Sequence, residues 1–200
     1  EKWIDTDAVL QTAEEWSQNG IRVIAFGYKL VDVLPEPFSY ESVETDLLFA
    51  GLAGMIDPPR EEVKQAITEC KAAGIHVVMI TGDHPATAAA IAKEIGILTK
   101  HDLVMTGKEL RNISAEEFEE QVEKIRVYAR VSPEQKLNIV KALQRKHHFV
   151  SMTGDGVNDA PSLKSSNIGV AMGINGTDVS KEASHMILLD DNFATIVKAV

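Results

Sequence analysis

The residues of this chain that can do chemistry are concentrated in one short stretch. From residue 151 to residue 164 the sequence reads Ser-Met-Thr-Gly-Asp-Gly-Val-Asn-Asp-Ala-Pro-Ser-Leu-Lys. The apolar run at 149–152 predicts a short buried strand, and Asp155, Asn158 and Asp159 gather oxygen atoms just past its end. Mg²⁺ prefers oxygen ligands and takes one or two protein carboxylates, with water and substrate phosphate completing its shell. The stretch therefore predicts a Mg²⁺ site for phosphoryl chemistry; the alternative is a glycine-rich turn whose side chains bond their own backbone.

A second polar cluster follows the apolar residues at 77–80. Thr81 supplies a hydroxyl group, and the backbone amides of Gly82 and Asp83 would project from the end of the same strand. Such donors suit a phosphoryl oxygen. The alternative is that Asp83 caps the helix that follows His84, and the two roles are compatible.

Lys136 is the candidate cation. It lies one turn into a helix that we predict to begin near Pro133. A point charge there could neutralise phosphate oxygens. Most helical lysines are solvated surface groups, so the residue type alone leaves both roles open.

The elements that must position these residues alternate along the second part of the chain. Alternation of strands with helices is typical of right-handed βαβ units, which predicts an α/β, Rossmann-like fold with a parallel sheet and helices on both faces. The predicted strands lie at 75–80, 103–105, 127–130, 148–152, 167–171 and 185–189, and the predicted helices at 60–73, 84–95, 114–125, 133–146, 158–165, 177–183 and 192–200. Ligands of such folds bind at the carboxyl ends of the strands, where the candidate residues are expected.

The first part of the chain has a different pattern. We predict a helix at 7–18, a strand at 21–28, an exposed loop at 31–44 and a strand at 47–56. The segment Asp57-Pro58-Pro59-Arg60 follows, and Pro59 suits the first turn of a helix. We therefore place a domain junction here, with one domain at 1–56 and a second at 57–200.

Composition limits the choice of partners. Hydrophobic residues make up 44% and charged residues 25% of the sequence, a balance that is typical of globular domains. The formal net charge of −10 argues against a nucleic-acid partner, because phosphate backbones require clustered Lys and Arg. The longest apolar run, 47–56, is about half of the roughly 20 residues that a membrane span needs. Cys70 is the single cysteine, so no intramolecular disulfide can form.

Four blocks of the sequence carry a resemblance to a known family. They are Asp57-Pro58-Pro59-Arg60, Met79-Ile80-Thr81-Gly82-Asp83, Arg130-Val131-Ser132-Pro133-Glu134-Gln135-Lys136 and Thr153-Gly154-Asp155-Gly156-Val157-Asn158-Asp159-Ala160-Pro161. In kind and order they resemble the signatures of P-type ATPases, a branch of the haloacid dehalogenase-like (HAD) superfamily. The tail, from Lys181-Glu182-Ala183-Ser184 to Asp190-Asp191-Asn192-Phe193, is similar to the type II cation pumps, which include calcium and sodium/potassium ATPases. The resemblance covers essentially the whole chain.

The resemblance implies a role for each candidate residue, with Mg²⁺ and ATP as the cofactors. Thr81 would bind the transferring phosphate, Lys136 would be the lysine of the superfamily, and Asp155 would ligate Mg²⁺ directly. We also assign Asp159 to the metal and to catalysis. Together with Asn158, it would orient Asp155, its waters or the phosphate. The remaining candidates would contact the nucleotide or act at the hinge: Arg22, Asp57, Arg60, Gly82, Asp83 and Arg130.

One expected motif is absent from the sequence. P-type ATPases carry phosphate on the Asp of an Asp-Lys-Thr-Gly-Thr motif, which does not occur among these 200 residues. The resemblance therefore implies a fragment that begins inside the nucleotide-binding domain and is inactive alone. In HAD proteins the strand with this Asp lies between the strands predicted here at 75–80 and 148–152, so we expect an incomplete sheet. Its unpaired edges would allow the fragment to self-associate.

For the intact protein, the resemblance implies a pump that couples ATP hydrolysis, through an aspartyl-phosphate, to cation transport through membrane helices outside this chain. Ca²⁺ is the favoured ion, and the expected location is the cell membrane, with this segment on the cytoplasmic side. Two alternatives remain: a HAD-type phosphatase with Asp5 or Asp7 as nucleophile, and a non-catalytic module that binds a Mg-nucleotide. Apolar residues follow Asp5 at helical spacing, so Asp5 or Thr6 is predicted to cap a helix instead.

Overall fold

The structure, a computed structural model, describes residues 4–33, 36–56 and 58–198. The chain divides into two compact units, Glu1–Asp57 and Pro58–Val200. Among the described residues, no helix is both long and apolar enough to cross a membrane.

The first unit is a helix with an antiparallel hairpin. Its elements are α1 (Thr6–Gln18), β1 (Arg22–Tyr28), α2 (Tyr40–Val43) and β2 (Leu48–Met55). Asp5 caps α1, because its carboxylate accepts a hydrogen bond of 3.0 Å from the amide of Ala8. The short helix α2 interrupts the loop predicted at 31–44; Ser39 caps it, and its hydroxyl accepts from the amide of Ser42.

The second unit alternates strands and helices, as the sequence predicts. Its elements are α3 (Glu61–Ala72), β3 (Met79–Thr81), α4 (Pro85–Glu94), β4 (Leu103–Thr106), α5 (Gly107–Asn112), α6 (Ala115–Gln121), β5 (Ile125–Ala129), α7 (Pro133–Arg145), β6 (Ser151–Gly154), a 3-10 turn (Val157–Asp159), α8 (Ala160–Ser165), β7 (Ile168–Met172), α9 (Asp178–Ala183), β8 (Met186–Leu188) and α10 (Phe193–Lys198).

The strands of this unit form two separate parallel sheets rather than one. The first has the order β3-β5-β4 and the second the order β6-β7-β8. Strands β3 and β6 are thus edge strands, and within the described residues they do not pair with each other. The α/β class with parallel strands is as expected, and so is the interruption between these two strands.

Helix α7 packs beneath both sheets. On one side Ile139 and Ala142 join the apolar cluster that contains Tyr128 of β5, and on the other Val140 packs with Met152 of β6. All five side chains are buried, so α7 holds the two sheets in one unit. Burial of such apolar side chains contributes about 1.5 to 3 kcal/mol each, which makes this helix a principal source of stability.

The structure differs from the predicted elements in two informative places. The strand predicted at 75–80 is paired only over Met79–Thr81, where β5 is its partner. Helix α5 was not predicted, although its signal is present: Thr106 caps it, and the carboxylate of Glu109 accepts from the amide of Thr106 in return. This reciprocal arrangement is a capping box, which can be recognised in a sequence.

Candidate functional site

The carboxylate of Asp159, in the turn just beyond the carboxyl end of β6, accepts several hydrogen bonds. Its side chain is 9% exposed, and its Oδ1 accepts a hydrogen bond of 2.7 Å from Lys136 Nζ. Its Oδ2 accepts from the amides of Asp155, at 3.3 Å, and Gly156, at 3.1 Å. Both oxygens of Asp159 are therefore engaged, which suits a residue that fixes a loop and orients a lysine.

Gly154 is required for this arrangement. A Cβ atom at this position would lie 2.5 Å from the Cβ of Asp159, well inside contact distance. Only a glycine lets the turn after β6 fold back so that Asp159 reaches the amides of the residues before it. The close spacing of Asp155 and Asp159 in the sequence is therefore explained by this turn.

Lys136 owes its position to the way α7 begins. The Ser132 hydroxyl accepts from the amide of Gln135, and the side-chain oxygen of Gln135 accepts from the amide of Ser132, which closes a capping box. Gln135 is buried, and its amide nitrogen also donates to the carbonyl of Gly107 at 2.7 Å. The first turn of α7 is thus tied to α5, and Lys136 is held there with its side chain 20% exposed.

Asp155 has an exposed side chain on a fixed backbone. Its amide donates to Asp159, and its carbonyl accepts from the amide of Thr177 at 2.8 Å. The hydroxyl of Ser180 lies 3.0 Å from the same carbonyl oxygen. The direction in which the Asp155 carboxylate leaves the backbone is therefore set from both sides.

The end of β3 forms a compact polar turn. Thr81 Oγ1 donates to Asp83 Oδ2 at 2.9 Å, and the amide of Asp83 donates to Thr81 Oγ1 at 3.1 Å. Helix α4 is capped by His84 rather than by Asp83, since the His84 ring nitrogen Nδ1 accepts from the amide of Ala86. Asp83 is therefore not needed as a cap, and Gly82 beside it is exposed with open space around its Cα.

A groove of about 830 Å³ runs between the two edge strands. Apolar residues of β3, β6 and α7 and of the segment before β3 line its length, among them Val78, Ile80, Val140 and Met152. The polar residues at one end are Lys136, Thr153, Asp155 and Asp159.

The two sheets point the same way along this groove. Lys136, beyond the carboxyl end of β5, contacts Asp159, beyond the carboxyl end of β6. At the opposite end Glu123, before β5, contacts His148, before β6, at 2.7 Å. The polar cluster thus lies at the carboxyl ends of the strands of both sheets, where ligands of parallel folds bind.

The side chains at this end of the groove can hold Mg²⁺ through a single exposed carboxylate. No group of three or more His, Cys, Asp or Glu side chains is arranged to hold a metal within 4–33, 36–56 and 58–198. Mg²⁺ does not require such a group, because it binds through one or two carboxylates with water and phosphate. Asp155 offers an exposed carboxylate at the groove, whereas both oxygens of Asp159 already accept hydrogen bonds.

The other sequence-predicted residues lie in several places. Arg22 is exposed on β1 in the first unit, and Asp57 lies outside the described residues. Arg60, which precedes α3, donates to the carbonyl of Asp191 at 3.2 Å. Arg130 is exposed with a φ of 53°, and Asn158 is exposed in the turn after β6. The structure thus brings Lys136, Asp155 and Asp159 to one groove, with Thr81 directly following a residue that lines it.

The sequence did not indicate a role for Thr177, Ser180 or Asp191. Thr177 and Ser180 contact the carbonyl of Asp155, and Asp191 accepts a hydrogen bond from Ile174 in the loop before Thr177. Thr177 had a recognisable signal, because it caps α9 and follows an Asn-Gly pair. Asp191 had none, since its contacts join segments that are distant in the sequence.

Comparison with known proteins agrees with the resemblance seen in the sequence. A family model described as haloacid dehalogenase-like hydrolase matches residues 39–167, and one described as P-type ATPase, cytoplasmic domain N, matches residues 3–62. The chain is 54% identical over 196 residues to a calcium-transporting ATPase of Bacillus cereus, and 54% identical over 200 residues to one of Bacillus subtilis. It is 49% identical over 198 residues to a cation-transporting ATPase of Synechocystis. These alignments cover 98% to 100% of this chain but only 22% of each relative.

Proposed function

Because the chain belongs to the haloacid dehalogenase-like hydrolases, in their P-type ATPase branch, we propose that it is the part of a cation-transporting P-type ATPase that binds the transferring phosphoryl group. The proposal rests on the cluster of Lys136, Asp155 and Asp159, which lies at the end of the groove where the parallel strands have their carboxyl ends. A fixed cation beside an exposed carboxylate is an arrangement that serves phosphoryl transfer, where positioning and charge neutralisation supply most of the catalysis.

Each residue of the cluster has a separate task. Lys136 presents its ammonium group to oxygens of the phosphoryl group, and Asp159 holds that ammonium in place. When that group binds, the Thr81 hydroxyl and the Asp83 amide exchange their hydrogen bonds within the turn for bonds to it, and the amide of Gly82 donates to it as well. Asp155 binds Mg²⁺, which neutralises phosphate charge when bound. Asn158, beside Asp159, orients water or phosphate.

The groove itself is the site of the missing acceptor. Its walls are the edges of β3 and β6 that no described strand pairs with, and the strands on both sides run toward the polar cluster. A strand laid between them would pair with both edges and would end at Lys136 and Asp155. We assign this position to the strand that bears the Asp-Lys-Thr-Gly-Thr aspartate, supplied by a part of the pump outside these residues. Without it, the exposed edges favour self-association of the chain.

In the whole pump, ATP is the phosphoryl donor, and Arg22 contributes to the nucleotide site. The hinge role belongs to Asp57, Arg60 and Arg130. The names of the relatives support Ca²⁺ as the transported ion, and the description of one matched family model as a cytoplasmic domain supports the cytoplasmic side of the membrane for this segment. The metal role of Asp159 is indirect, through Lys136 and the loop of Asp155.

The chain alone is expected to be inactive. We expect no ATP turnover and no acyl-phosphate when the 200-residue chain is incubated with Mg-ATP. Steady-state ATPase assays and acid-stable labelling from γ-labelled ATP check this expectation. Robust turnover would contradict it, and Asp5→Ala and Asp7→Ala would then show whether a phosphatase nucleophile lies there. The contact of Asp5 with the amide of Ala8 argues against that alternative.

A further inference from the structure

The loop between β7 and α9, residues 173–177, is folded tightly onto the ends of two strands. A Cβ atom at Gly176 would lie 1.9 Å from the carbonyl oxygen of Met172, and one at Gly173 would lie 2.8 Å from that of Leu188. Backbone this close to backbone is possible only with glycine at both positions. No other residue type fits this close approach, and because glycine is conformationally permissive, the contacts of the loop decide how firmly it is held.

Its main partner is the carboxylate of Asp191. Oδ1 accepts from the amide of Ile174 at 3.0 Å, and Oδ2 accepts from the amide and the side-chain nitrogen of Asn175 at 2.8 and 2.9 Å. Partial burial opposes ionisation of Asp191, but these amide donors outweigh it and hold its pKa below the ordinary aspartate value. A charged acceptor thus fixes the start of the loop.

The end of the same loop supports Asp155. The amide of Thr177 donates to the Asp155 carbonyl, and the buried hydroxyl of Ser180 lies within hydrogen-bond distance of it. Only Gly176 separates Asn175, which Asp191 holds, from Thr177, which holds Asp155. A short and tightly folded segment therefore connects the two aspartates.

Asp191 is itself anchored to the beginning of the second unit. Arg60 donates to its carbonyl oxygen at 3.2 Å, and the side chain of the next residue, Asn192, donates to Glu62 of α3 at 3.2 Å. The φ of Asp191 is 50°, a left-handed conformation that non-glycine residues adopt rarely, with Asn and Asp the most tolerant. Such a conformation persists when the surrounding contacts require it.

We infer that Asp191 is a positioning residue for Asp155: it holds the 173–177 loop, and through that loop it sets the backbone from which the Asp155 carboxylate reaches Mg²⁺. The inference rests on the proposed function only for the role of Asp155 as a Mg²⁺ ligand. The connection between Asp191 and Asp155 does not depend on it. The connection runs from Arg60, which precedes α3, through Asp191 and Thr177 to the groove.

The test compares Asp191→Asn with Asp190→Asn in the 200-residue chain. Asn tolerates the positive φ of this position as Asp does. Its side-chain NH₂ group, however, is a donor where Asp has an acceptor oxygen, so it cannot accept from the amides of the loop. Asp190 is a matched control, because its carboxylate accepts from the amide of Asn192 and the hydroxyl of Thr195 and not from the loop. Two measurements are made by NMR: hydrogen exchange of the amides of Ile174 and Thr177, and broadening of the Gly156 amide by Mn²⁺ used as the probe metal.

We expect Asp191→Asn to speed exchange at both amides by about tenfold. We also expect the Mn²⁺ concentration for half-maximal broadening of Gly156 to rise about tenfold, a usual consequence of losing an outer partner of a metal ligand. Asp190→Asn should change neither. If Asp191→Asn does not fold, Ser180→Ala acts on the same Asp155 carbonyl and should weaken the Mn²⁺ response.

Faster exchange at Ile174 with no change at Thr177 would overturn the inference, as would a Mn²⁺ response in Asp191→Asn equal to a clear response of the unsubstituted chain. If Mn²⁺ leaves Gly156 unaffected in the unsubstituted chain and Asp155→Asn behaves identically, the metal role of Asp155 in the proposed function fails. The exchange of the Thr177 amide then still decides whether Asp191 holds the loop.

Discussion

Substitution of Lys136 by Met is expected to lower the free energy of unfolding by about 2 kcal/mol, because it leaves the carboxylate of Asp159 without its cation. Removal of one partner from a fully buried ion pair costs about 3 to 5 kcal/mol. The smaller value applies here because the Lys136 side chain is 20% exposed and two backbone amides still donate to Asp159. Met retains most of the apolar stem, so the loss reports the ammonium group.

Urea unfolding measures this loss, and the chain offers a control on the same helix. Lys141 is exposed on α7, so Lys141→Met should change the free energy of unfolding by less than about 0.5 kcal/mol. The double variant Lys136→Met, Asp159→Asn removes both charges and should recover more than half of the loss. Equal stability of Lys136→Met and Lys141→Met would show that the ion pair is not formed in solution.

The second large effect concerns the groove. We expect a peptide with an apolar run followed by Asp-Lys-Thr-Gly-Thr to bind between β3 and β6 and to slow hydrogen exchange of their groove-facing amides by at least about tenfold. These amides alternate along Met79–Thr81 and Ser151–Gly154, because successive amides of a strand point to opposite edges.

A peptide with proline in the middle of the apolar run is the matched control, since proline cannot donate a backbone hydrogen bond and breaks strand pairing. Hydrogen exchange of the outer strands, β4 and β8, shows whether the peptide binds in the groove or at another edge of the sheets. Protection confined to β4 or β8 would mean that the peptide adds to an exposed outer edge, and the assignment of the groove to the acceptor strand would then be wrong.

Much of the fold was predictable because its signals are local. Alternating strands and helices, the parallel class and the cap at Asp5 follow from periodicity and from residue types at helix starts. The interruption next to β3 and β6 followed from the family resemblance rather than from any local pattern. The shortened strand β3 could not be foreseen, because its pairing with β5 over Met79–Thr81 alone depends on contacts between segments that are distant in the sequence.

The candidate site was predictable in its residue types but not in its connections. The sequence placed Asp155 and Asp159 at a strand end and Lys136 in the first turn of a helix, and the structure brings the three to one groove. It did not indicate that Asp159 binds Lys136, because that contact depends on how α7 and the turn after β6 pack. Asp191 was missed for the same reason: its partners, Ile174 and Arg60, meet it only in the folded chain.

The most direct test of the central claim is a crystal structure of the chain with the same peptide, Mg²⁺ and beryllium fluoride, an analogue of a phosphoryl group on a carboxylate. We expect the peptide to lie as a strand between β3 and β6, with Thr81, Lys136 and the metal bound to Asp155 all contacting the one beryllium fluoride group. A structure in which Thr81 lies too far from Lys136 and Asp155 to share that group would contradict the account.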